Sequence, residues 1–254
     1  MDNALENCKH LFGLVGKDID YSFSRAYFSK KFKTQNLDTH AYINFDLNTI
    51  DTFKDIFKEN SNISGLNVTI PYKESVLQHL DSIDKKALKI GAVNTIKISK
   101  NGELTGYNTD WYGFKRALKP YIKKHHKKAL ILGTGGASKA IAYTLKKLGI
   151  EFNYVSRIVS NKAKYSYETL SEKVIKKHTL IINSTPLGTF PNIDQAPSIP
   201  YQAITKDHLV FDLIYNPIET KFLKLSKLQD ATTLNGLPML EYQAEKAWQI
   251  WNKK

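Results

Sequence analysis

The segment from Ala129 to Gly149 constrains the fold of this chain more than any other. Four apolar residues, Ala129–Leu132, are typical of a buried strand, and they run directly into Gly133–Ser138. A helical pattern follows from Lys139 to Leu148 and ends at Gly149. A strand, a glycine-rich turn and a helix in this order predict one unit of a parallel sheet that is covered by helices.

Strands and helices alternate through the rest of the chain as well. Such alternation predicts an α/β fold with a mainly parallel sheet and helices on its faces. The pattern restarts after the basic stretch 119–128, which indicates two domains with a junction near that point. Apolar periodicity predicts strands at Leu11–Gly16, Ala41–Phe45, Phe152–Val155, Thr179–Asn183, Leu209–Leu213 and Ala231–Leu234, a strand ending at Ile70, an alternating strand at Ala92–Ile98, and helices at Arg25–Phe32, at Ile50–Lys58 and after Pro71.

Composition supports a folded chain with a sizeable apolar core. The 254 residues are 42% hydrophobic and 24% charged, which is typical of globular proteins, and the length allows two domains. No apolar run approaches the roughly 18 residues that a membrane-spanning helix requires. The first residues lack the basic and apolar order of a signal peptide, so a cytoplasmic protein is expected. The single cysteine, Cys8, has no neighbouring cysteine or histidine at metal-ligand spacing, and no metal site is predicted.

The net charge of +13 raises the question of nucleic-acid binding. Only three of the 37 basic residues are arginines, at Arg25, Arg116 and Arg157. Lysine is a mobile and strongly hydrated point charge, whereas nucleic-acid sites favour the planar guanidinium. The lysines also occur as pairs beside apolar segments, as they do on solvated helix faces. The charge therefore favours small anionic ligands, and neither a nucleic acid nor a membrane is predicted as a partner.

The glycine-rich turn contains the residue types that a dinucleotide site requires. Gly133 permits a tight turn, Gly135 lets the backbone approach a pyrophosphate, and Gly136–Ala137 allows the helix to pack closely on the strand. The N–H groups at the start of the helix, and its positive dipole end, would favour phosphate. The spacing is G-x-G-G-A rather than G-x-G-x-x-G, and glycines often serve a turn alone. The flanking strand and helix favour the dinucleotide interpretation.

The end of the next predicted strand distinguishes between the two nicotinamide dinucleotides. NAD sites usually carry an acidic residue there, which accepts hydrogen bonds from the ribose hydroxyls. This chain has Ser156–Arg157 at that position and no acidic residue. A guanidinium suits the additional 2′-phosphate of NADP, so the sequence favours NADP, with Asn161 and Lys162 as further candidate contacts. The alternative is an ordinary arginine at the surface end of a strand.

Two later strand ends are further candidates for ligand binding. The segments 183–188 and 212–217 contain polar and turn residues, and each lies at the carboxyl end of a predicted strand. Ligands of parallel sheets bind at such carboxyl ends. The second segment would lie where the nicotinamide is expected. Both segments contain proline, so they could also be structural turns.

Polar residues in the first half of the chain fall into four clusters. Their hydroxyls, amides, lysine and aspartate suit a polyhydroxylated carboxylate substrate. Each also has a simpler explanation, because Ser24 and Asp110 could cap helices. Asn94 could likewise satisfy a turn, and Lys73 could be a solvated helix residue. The clusters are Ser22–Ser24, Gly65–Lys73, Gly91–Thr95 and Gly106–Asp110.

Six motifs therefore follow one another along the chain. They are S-x-S at Ser22–Ser24, G-x-N-V-T-I-P-Y-K at Gly65–Lys73, G-A-V-N-T at Gly91–Thr95, G-x-N-T-D at Gly106–Asp110, G-x-G-G-A at Gly133–Ala137 and N-G-L-P-M-L at Asn235–Leu240. In this order they closely resemble the shikimate dehydrogenase family, over nearly the whole chain from about residue 11 to the C-terminal helix. Six ordered motifs are highly specific, whereas no single one would be.

The resemblance implies the reversible, NADPH-dependent reduction of 3-dehydroshikimate to shikimate, a step of aromatic amino-acid biosynthesis. It implies a substrate-binding domain at 1–109, joined by a C-terminal helix at 238–254, and a Rossmann-like NADP-binding domain at 110–237. The chain would act as a monomer or a homodimer. The implied catalytic pair is Lys73 and Asp110; the implied substrate-binding residues are Ser22, Ser24, Thr69, Lys73, Asn94, Asp110, Tyr215 and Gln243; and the implied cofactor-binding residues are Gly133, Thr134, Gly135, Gly136, Ala137, Ser156, Arg157, Thr185, Leu213 and Gly236.

The chemistry of a ketone reduction agrees with a lysine at the centre of the site. Negative charge develops on the ketone oxygen, and a donor must supply a proton there. The Lys73 ammonium could stabilise that charge and donate the proton, and the neutral amine could accept a hydroxyl proton in the reverse direction. Asp110 would orient Lys73 and bind a substrate hydroxyl.

The chain departs from the family pattern in two places. Arg25 follows the second serine where the family often has proline, and Ser156–Arg157–Ile158 replaces the usual Asn-Arg-Thr, with no second arginine shortly after it. One phosphate-binding arginine is thus missing, which leaves the use of NAD open. The alternatives are a relative that prefers quinate, a dinucleotide-binding protein without catalysis, and an RNA-binding protein.

Overall fold

The computed structural model describes residues 8–20 and 22–253, and the chain divides into two compact units. Unit 1 comprises Met1–Thr109 and Ala244–Lys254, and unit 2 comprises Asp110–Gln243. Each unit contains one six-stranded sheet, so the predicted α/β fold class is confirmed. Among the described residues, no helix is both long enough and apolar enough to cross a membrane.

The sheet of unit 1 is mixed. Its strands are β1 (His10–Gly16), β2 (His40–Asp46), β3 (Ile63–Val68), β4 (Ser82–Ile83), β5 (Thr95–Ile98) and β6 (Leu104–Tyr107). They lie in the order β2-β1-β3-β5-β6-β4. Strand β1 is parallel to β2 and β3, whereas β5 is antiparallel to β3 and β6. Strands β5 and β6 form a hairpin and are antiparallel because a short turn joins them. Gly102 in this turn adopts a φ of 80°.

Helices cover the sheet of unit 1, and one of them comes from the end of the chain. The helices are α1 (Phe23–Thr34), α2 (Ile56–Glu59), α3 (Lys85–Ile90) and the last part of a long helix, α8 (Leu237–Trp251). Trp251 packs with Phe12 and Phe28, and its indole N–H donates to the Ile96 carbonyl at 2.9 Å. A Cβ at Gly65 would lie 2.5 Å from the indole ring, so this strand position must be glycine. The expected packing of the C-terminal helix on the first domain is confirmed for this part of the helix.

Two predicted helices of unit 1 form mainly as 3₁₀-helices. The segment predicted as a helix at Ile50–Lys58 is a 3₁₀-helix at Ile50–Asp55 that continues into α2. Ile50, Phe53 and Ile56 are all buried, and this three-residue spacing suits three residues per turn.

The helix predicted after Pro71 is only a short 3₁₀-helix at Ser75–His79. The Lys73 carbonyl accepts a hydrogen bond from the Val93 N–H at 2.8 Å, so it is used by a distant segment instead of by a helical neighbour. The Leu77 N–H bonds three residues back, to Glu74 at 3.2 Å, as in a 3₁₀ turn.

The sheet of unit 2 is parallel throughout, and helices lie on both faces. Its strands are β7 (Lys128–Leu132), β8 (Glu151–Ser156), β9 (Tyr165–Ser166), β10 (Leu180–Asn183), β11 (Leu209–Asp212) and β12 (Thr232–Leu234), in the order β12-β11-β10-β7-β8-β9. Its helices are α4 (Asp110–Leu118), α5 (Gly136–Lys147), α6 (Glu172–Lys177), α7 (Lys221–Lys227) and the first part of α8. Successive residues of β7 alternate between two buried clusters, which explains its continuous apolar sequence.

Candidate active site

Ser22 and Ser24 lie at the start of α1 in unit 1. Ser22 has an extended backbone, and its hydroxyl oxygen accepts a hydrogen bond from the Ser24 N–H at 3.2 Å. Ser22 is therefore the residue that caps the helix, and Ser24 belongs to the first helical turn instead of capping it. Both side chains are half-buried. The helix start thus places two hydroxyl groups at one end of α1.

Thr69 and Lys73 lie in the loop that follows β3. The Thr69 N–H donates to the Val15 carbonyl at 2.9 Å, and the Lys73 carbonyl accepts from Val93 at 2.8 Å. Both residues are half-buried. The loop is thus bonded to β1 on one side and to the segment that leads into β5 on the other, which holds the backbone of Lys73 in place.

Asn94 is the centre of a buried polar network in unit 1. Its side-chain oxygen accepts from the Thr109 N–H at 2.6 Å and from the Thr95 hydroxyl at 3.2 Å. Its amide nitrogen donates to the Thr109 hydroxyl at 3.0 Å. Asn94 is 3% exposed, and Thr95 and Thr109 are fully buried. The backbone N–H of Thr109 fixes which end of the amide is the oxygen.

Tyr42 and Asn67 extend this network to β2. The Tyr42 hydroxyl donates to the Asn67 side-chain oxygen at 2.8 Å, and the Asn67 amide donates to the Asn94 carbonyl at 3.2 Å. Burial raises the pKa of Tyr42, while a hydrogen bond from the Ser24 side chain lowers it. The sequence did not identify Tyr42, because in an apolar strand an aromatic residue is indistinguishable from ordinary core.

The glycine-rich turn of unit 2 joins β7 to α5. Gly133 has a φ of 101°, which favours glycine. Gly135 is the N-terminal flanking residue of α5, and a Cβ there would meet no atom within 4 Å. The turn therefore leaves space beside its backbone at the start of a 12-residue helix. This arrangement fits a dinucleotide pyrophosphate.

Arg157 follows the end of β8 and is exposed, as is Ile158 beside it. Ser156 is the last residue of the strand. The ammonium of Lys162 donates to the Thr134 carbonyl at 2.6 Å, so the loop after β8 is bonded to the glycine-rich turn. Arg157 and Lys162 thus supply two of the three cationic side chains of this loop, which fits an anionic phosphate group.

Asn183 and Asp212 form a buried pair at the ends of β10 and β11. The Asn183 amide donates to Asp212 Oδ1 at 3.0 Å, and the Thr220 hydroxyl donates to Asp212 Oδ2 at 2.6 Å. The hydroxyl and the N–H of Thr185 both donate to the Asn183 oxygen, at 2.7 and 3.0 Å. Burial raises the pKa of Asp212 to about 6, against hydrogen bonds from Thr220, Ile214 and Asn183 that lower it. The sequence indicated these strand ends but not this pair.

Leu213 and Gly236, both predicted to bind the cofactor, lie against each other. A Cβ at Gly236 would lie 2.0 Å from the Leu213 carbonyl oxygen, so only glycine fits. The Gly236 N–H donates to the Ile214 carbonyl at 2.9 Å. The predicted substrate residue Tyr215 follows and is half-buried. The loop after β11 and the turn before α8 therefore form one surface.

Asp110 and Gln243 belong to two helices of unit 2 that approach closely. Asp110 is the first residue of α4 and is 5% exposed. A Cβ at Gly113 would lie 2.4 Å from the Met239 carbonyl and 3.1 Å from the Gln243 Cβ, so α8 packs tightly on α4. The Gln243 amide donates to the Leu240 carbonyl at 2.9 Å. The close packing of these two helices thus positions the backbones of both residues.

The predicted site residues fall into two sets. Unit 1 contains Ser22, Ser24, Thr69, Lys73 and Asn94, and unit 2 contains Asp110, Tyr215, Gln243 and the predicted cofactor residues. In unit 1, hydrogen bonds join Tyr42 to Asn94 through Asn67. In unit 2, Thr185 and Leu213 are joined through Asn183.

Comparisons with known proteins identify related chains. A family model described as "Shikimate dehydrogenase substrate binding domain" matches residues 14–96. A curated shikimate dehydrogenase (NADP(+)) of Methanococcus maripaludis is 40% identical over 96% of this chain and 92% of its own length. One of Methanococcus vannielii is 37% identical, over 95% and 90% respectively. A crystal structure of shikimate dehydrogenase in complex with NADP+ has a TM-score of 0.85 and 36% identity, with 99% of this chain and 92% of that chain covered.

Proposed function

Because this chain belongs to the shikimate dehydrogenase family, we propose that it catalyses the reversible, NADPH-dependent reduction of 3-dehydroshikimate to shikimate. The observation that carries the proposal is the match over at least 90% of the length of curated relatives with this activity in their names. The reaction is an oxidoreduction at a CH–OH group, and its place is in aromatic amino-acid biosynthesis. Its partner is a small-molecule substrate.

The glycine-rich turn and the loop after β8 would hold the dinucleotide. Backbone N–H groups at the start of α5 would bind the pyrophosphate, and Arg157 would supply a guanidinium for the 2′-phosphate of NADP. Thr134, Gly136, Ala137, Ser156, Thr185, Leu213 and Gly236 complete the proposed set. When bound, NADPH supplies the hydride for the reduction.

Lys73 is the proposed proton donor. As the carbonyl carbon is reduced, negative charge grows on the carbonyl oxygen, and the Lys73 ammonium stabilises that charge and then donates its proton to it. In the oxidation of shikimate, the neutral amine accepts the hydroxyl proton. Asp110 is proposed to orient the lysine and to bind a substrate hydroxyl.

Ser22, Ser24, Thr69 and Asn94 are proposed to bind the carboxylate and ring hydroxyls of the substrate, together with Tyr215 and Gln243. A substrate that lacks one of these groups would leave a buried donor or acceptor unpaired, which costs binding free energy. The buried network around Asn94 supports this role, since it holds an amide in one orientation. Selectivity for a polyhydroxylated acid follows from it.

Substitution of Lys73 tests the proposal. The purified protein is expected to reduce NADP+ when shikimate is added, followed at 340 nm. Lys73→Ala should lower kcat by about 100- to 10,000-fold, with a smaller effect on KM, because a general acid typically contributes that factor. The matched control is Lys89→Ala, which removes an exposed lysine of α3 and should leave kcat unchanged. Near-normal turnover of Lys73→Ala would exclude this residue as the proton donor.

A quinate/shikimate dehydrogenase that uses NAD is the second candidate, and the departure from the family pattern at Ser156–Arg157–Ile158 favours its use of NAD. Values of kcat/KM for shikimate and quinate, each with NADP+ and NAD+, decide between the two. A higher value for quinate would overturn the assignment of shikimate. A cytoplasmic location, a monomeric or homodimeric state and the lack of a nucleic-acid partner stay predictions.

A further inference from the structure

We infer that Asp212 is a positioning residue for the dinucleotide, because it joins the two loops that carry Thr185 and Leu213. The inference rests on the proposed function only in assigning these loops to the cofactor. Asp212 itself lies beneath them, fully buried at the end of β11.

The two oxygens of Asp212 reach two different segments. Oδ1 accepts from the Asn183 amide at 3.0 Å and from the Ile214 N–H at 3.0 Å. Oδ2 accepts from the Thr220 hydroxyl at 2.6 Å. The carboxylate therefore holds both ends of the loop from Leu213 to Thr220, and it also holds the side chain at the end of β10.

Asn183 transmits this restraint to the loop after β10. Its side-chain oxygen accepts from both the N–H and the hydroxyl of Thr185, at 3.0 and 2.7 Å. Its carbonyl accepts from the Leu213 N–H at 3.0 Å. The hydroxyl of Thr185 accepts in turn from the Leu187 N–H at 3.3 Å. One buried carboxylate thus orders the backbone of two neighbouring loops.

Burial of a carboxylate costs free energy, so its use to order a loop indicates that the precise geometry of the loop matters. The hydrogen-bond donors described for Asp212 are all uncharged, and burial disfavours the ionised form of its carboxyl group. Three hydrogen bonds in three directions fix the loops more closely than apolar packing, which is not directional. A displacement of about 1 Å in such positioning groups can lower the rate on the order of 100-fold.

The position of these loops defines a specific signature. They follow β10 and β11, whereas Arg157 follows β8 at the other side of β7. Asp212 therefore acts on the part of the dinucleotide that NADP and NAD share. Loss of the Asp212 carboxylate should therefore weaken the binding of NADP and of NAD by the same factor. Loss of the Arg157 guanidinium should weaken the binding of NADP alone.

The experiment measures the affinity of the full-length protein for NADP+ and for NAD+ by calorimetry, without substrate. Asp212→Ala is expected to raise the Kd of both dinucleotides about 10- to 100-fold, because it leaves buried donors of the two loops unpaired. Asp212→Asn should stay within about threefold of the wild type, because an amide keeps an oxygen toward Asn183 and Ile214 while its nitrogen can donate to the Thr220 oxygen.

Two further variants keep the test decisive. Thr220→Val replaces Asp212→Ala in the test if the latter does not fold. It removes one of the three hydrogen bonds to Asp212 and should raise both Kd values about three- to tenfold. Ser226→Ala is the matched control, because it removes a buried hydroxyl that donates to the Phe222 carbonyl at 2.8 Å in α7, away from these loops. It should lower the melting temperature without changing either Kd.

Unchanged affinities in folded Asp212→Ala, or in Thr220→Val if the former does not fold, would overturn the inference. So would a loss confined to NADP+. The proposed function is judged separately, by the oxidation of shikimate. If the wild type binds both dinucleotides but does not oxidise shikimate, that function fails while the Kd values still decide the role of Asp212.

Discussion

The polar network around Asn94 in unit 1 and the proposed phosphate contacts of unit 2 differ in burial. In unit 1, Asn67, Asn94, Thr95 and Thr109 are at most 4% exposed and are joined by hydrogen bonds between side chains. In unit 2, the proposed pyrophosphate and 2′-phosphate contacts are backbone groups and an exposed arginine on surface loops. The first set belongs to the core, whereas the second lies on top of it.

This difference separates two properties of the protein. A change among the buried polar residues of unit 1 is expected to alter both substrate recognition and folding stability, because removing one residue leaves its buried partners unpaired. A change at Arg157 is expected to alter the choice of dinucleotide at little cost in stability. Asp212 differs from Arg157 in this respect, since it is a buried polar residue beneath surface loops.

The largest expected effect breaks the network of unit 1. Asn94→Ala removes the partner of the Thr109 N–H and of the Thr95 hydroxyl, and it should lower the free energy of unfolding by about 2–4 kcal/mol. The KM for shikimate should rise in the same variant. Urea denaturation and steady-state kinetics measure the two effects.

Asn48→Ala is the control for that variant, because Asn48 is an exposed asparagine of the same unit. Its stability should stay within about 0.5 kcal/mol of the wild type. A stable Asn94→Ala variant with a raised KM would show that recognition and stability are independent in unit 1, contrary to the comparison.

The next effect concerns pH and the buried carboxylate of unit 2. The pKa of Asp212 is raised from its ordinary value of 3.8 to about 6 by burial. The folded state therefore keeps a proton that the unfolded state releases, and stability is lost as pH rises from about 4 to above 6. The loss should be roughly 2–3 kcal/mol. Tyr201 faces this charge, but burial raises its pKa, so it stays neutral in this range.

Asp212→Asn isolates that contribution, because the amide does not titrate. Urea unfolding of the variant and the wild type between pH 4 and pH 7.5 should give a difference that moves in favour of the variant as pH rises. A constant difference across this range would mean that Asp212 titrates alike in the folded and unfolded states.

The smallest effect sharpens the comparison at the surface of unit 2. Arg157→Ala should raise the KM for NADP+ about 10- to 50-fold, because a charge-assisted contact to phosphate is lost. The KM for NAD+ and the stability should hardly change. Lys164→Ala, which removes an exposed lysine of the same loop, serves as the control. Equal changes for the two dinucleotides would exclude Arg157 as the group that reads the 2′-phosphate.

Much of the fold could be predicted because its signals are local. The apolar run of β7, the glycines after it and the helix that follows lie within 22 consecutive residues, 128–149, and the strand and the helix form where predicted. The segment after Pro71 could not be predicted in the same way. Its helical appearance is overridden by the bond from Val93 to the Lys73 carbonyl, between residues twenty apart.

The candidate site shows the same limit. Motif positions identified Ser22, Lys73 and Asn94 without a structure, and these residues stay predictions for function. Tyr42 and Asp212 became visible only through their partners, which lie 25 and 29 residues away in the sequence, at Asn67 and Asn183. A polar residue that acts by positioning another residue belongs to no sequence motif by which it could be recognised.

The contact of Trp251 with Gly65 and Ile96 also bears on how the chain is made. The aromatic core of unit 1 includes Ala244, Ala247 and Trp251, which are translated after the whole of unit 2. During synthesis, unit 2 has all of its residues before unit 1 does. The aromatic core of unit 1 therefore cannot be completed until the last helix has been synthesised, although most of unit 1 is made first.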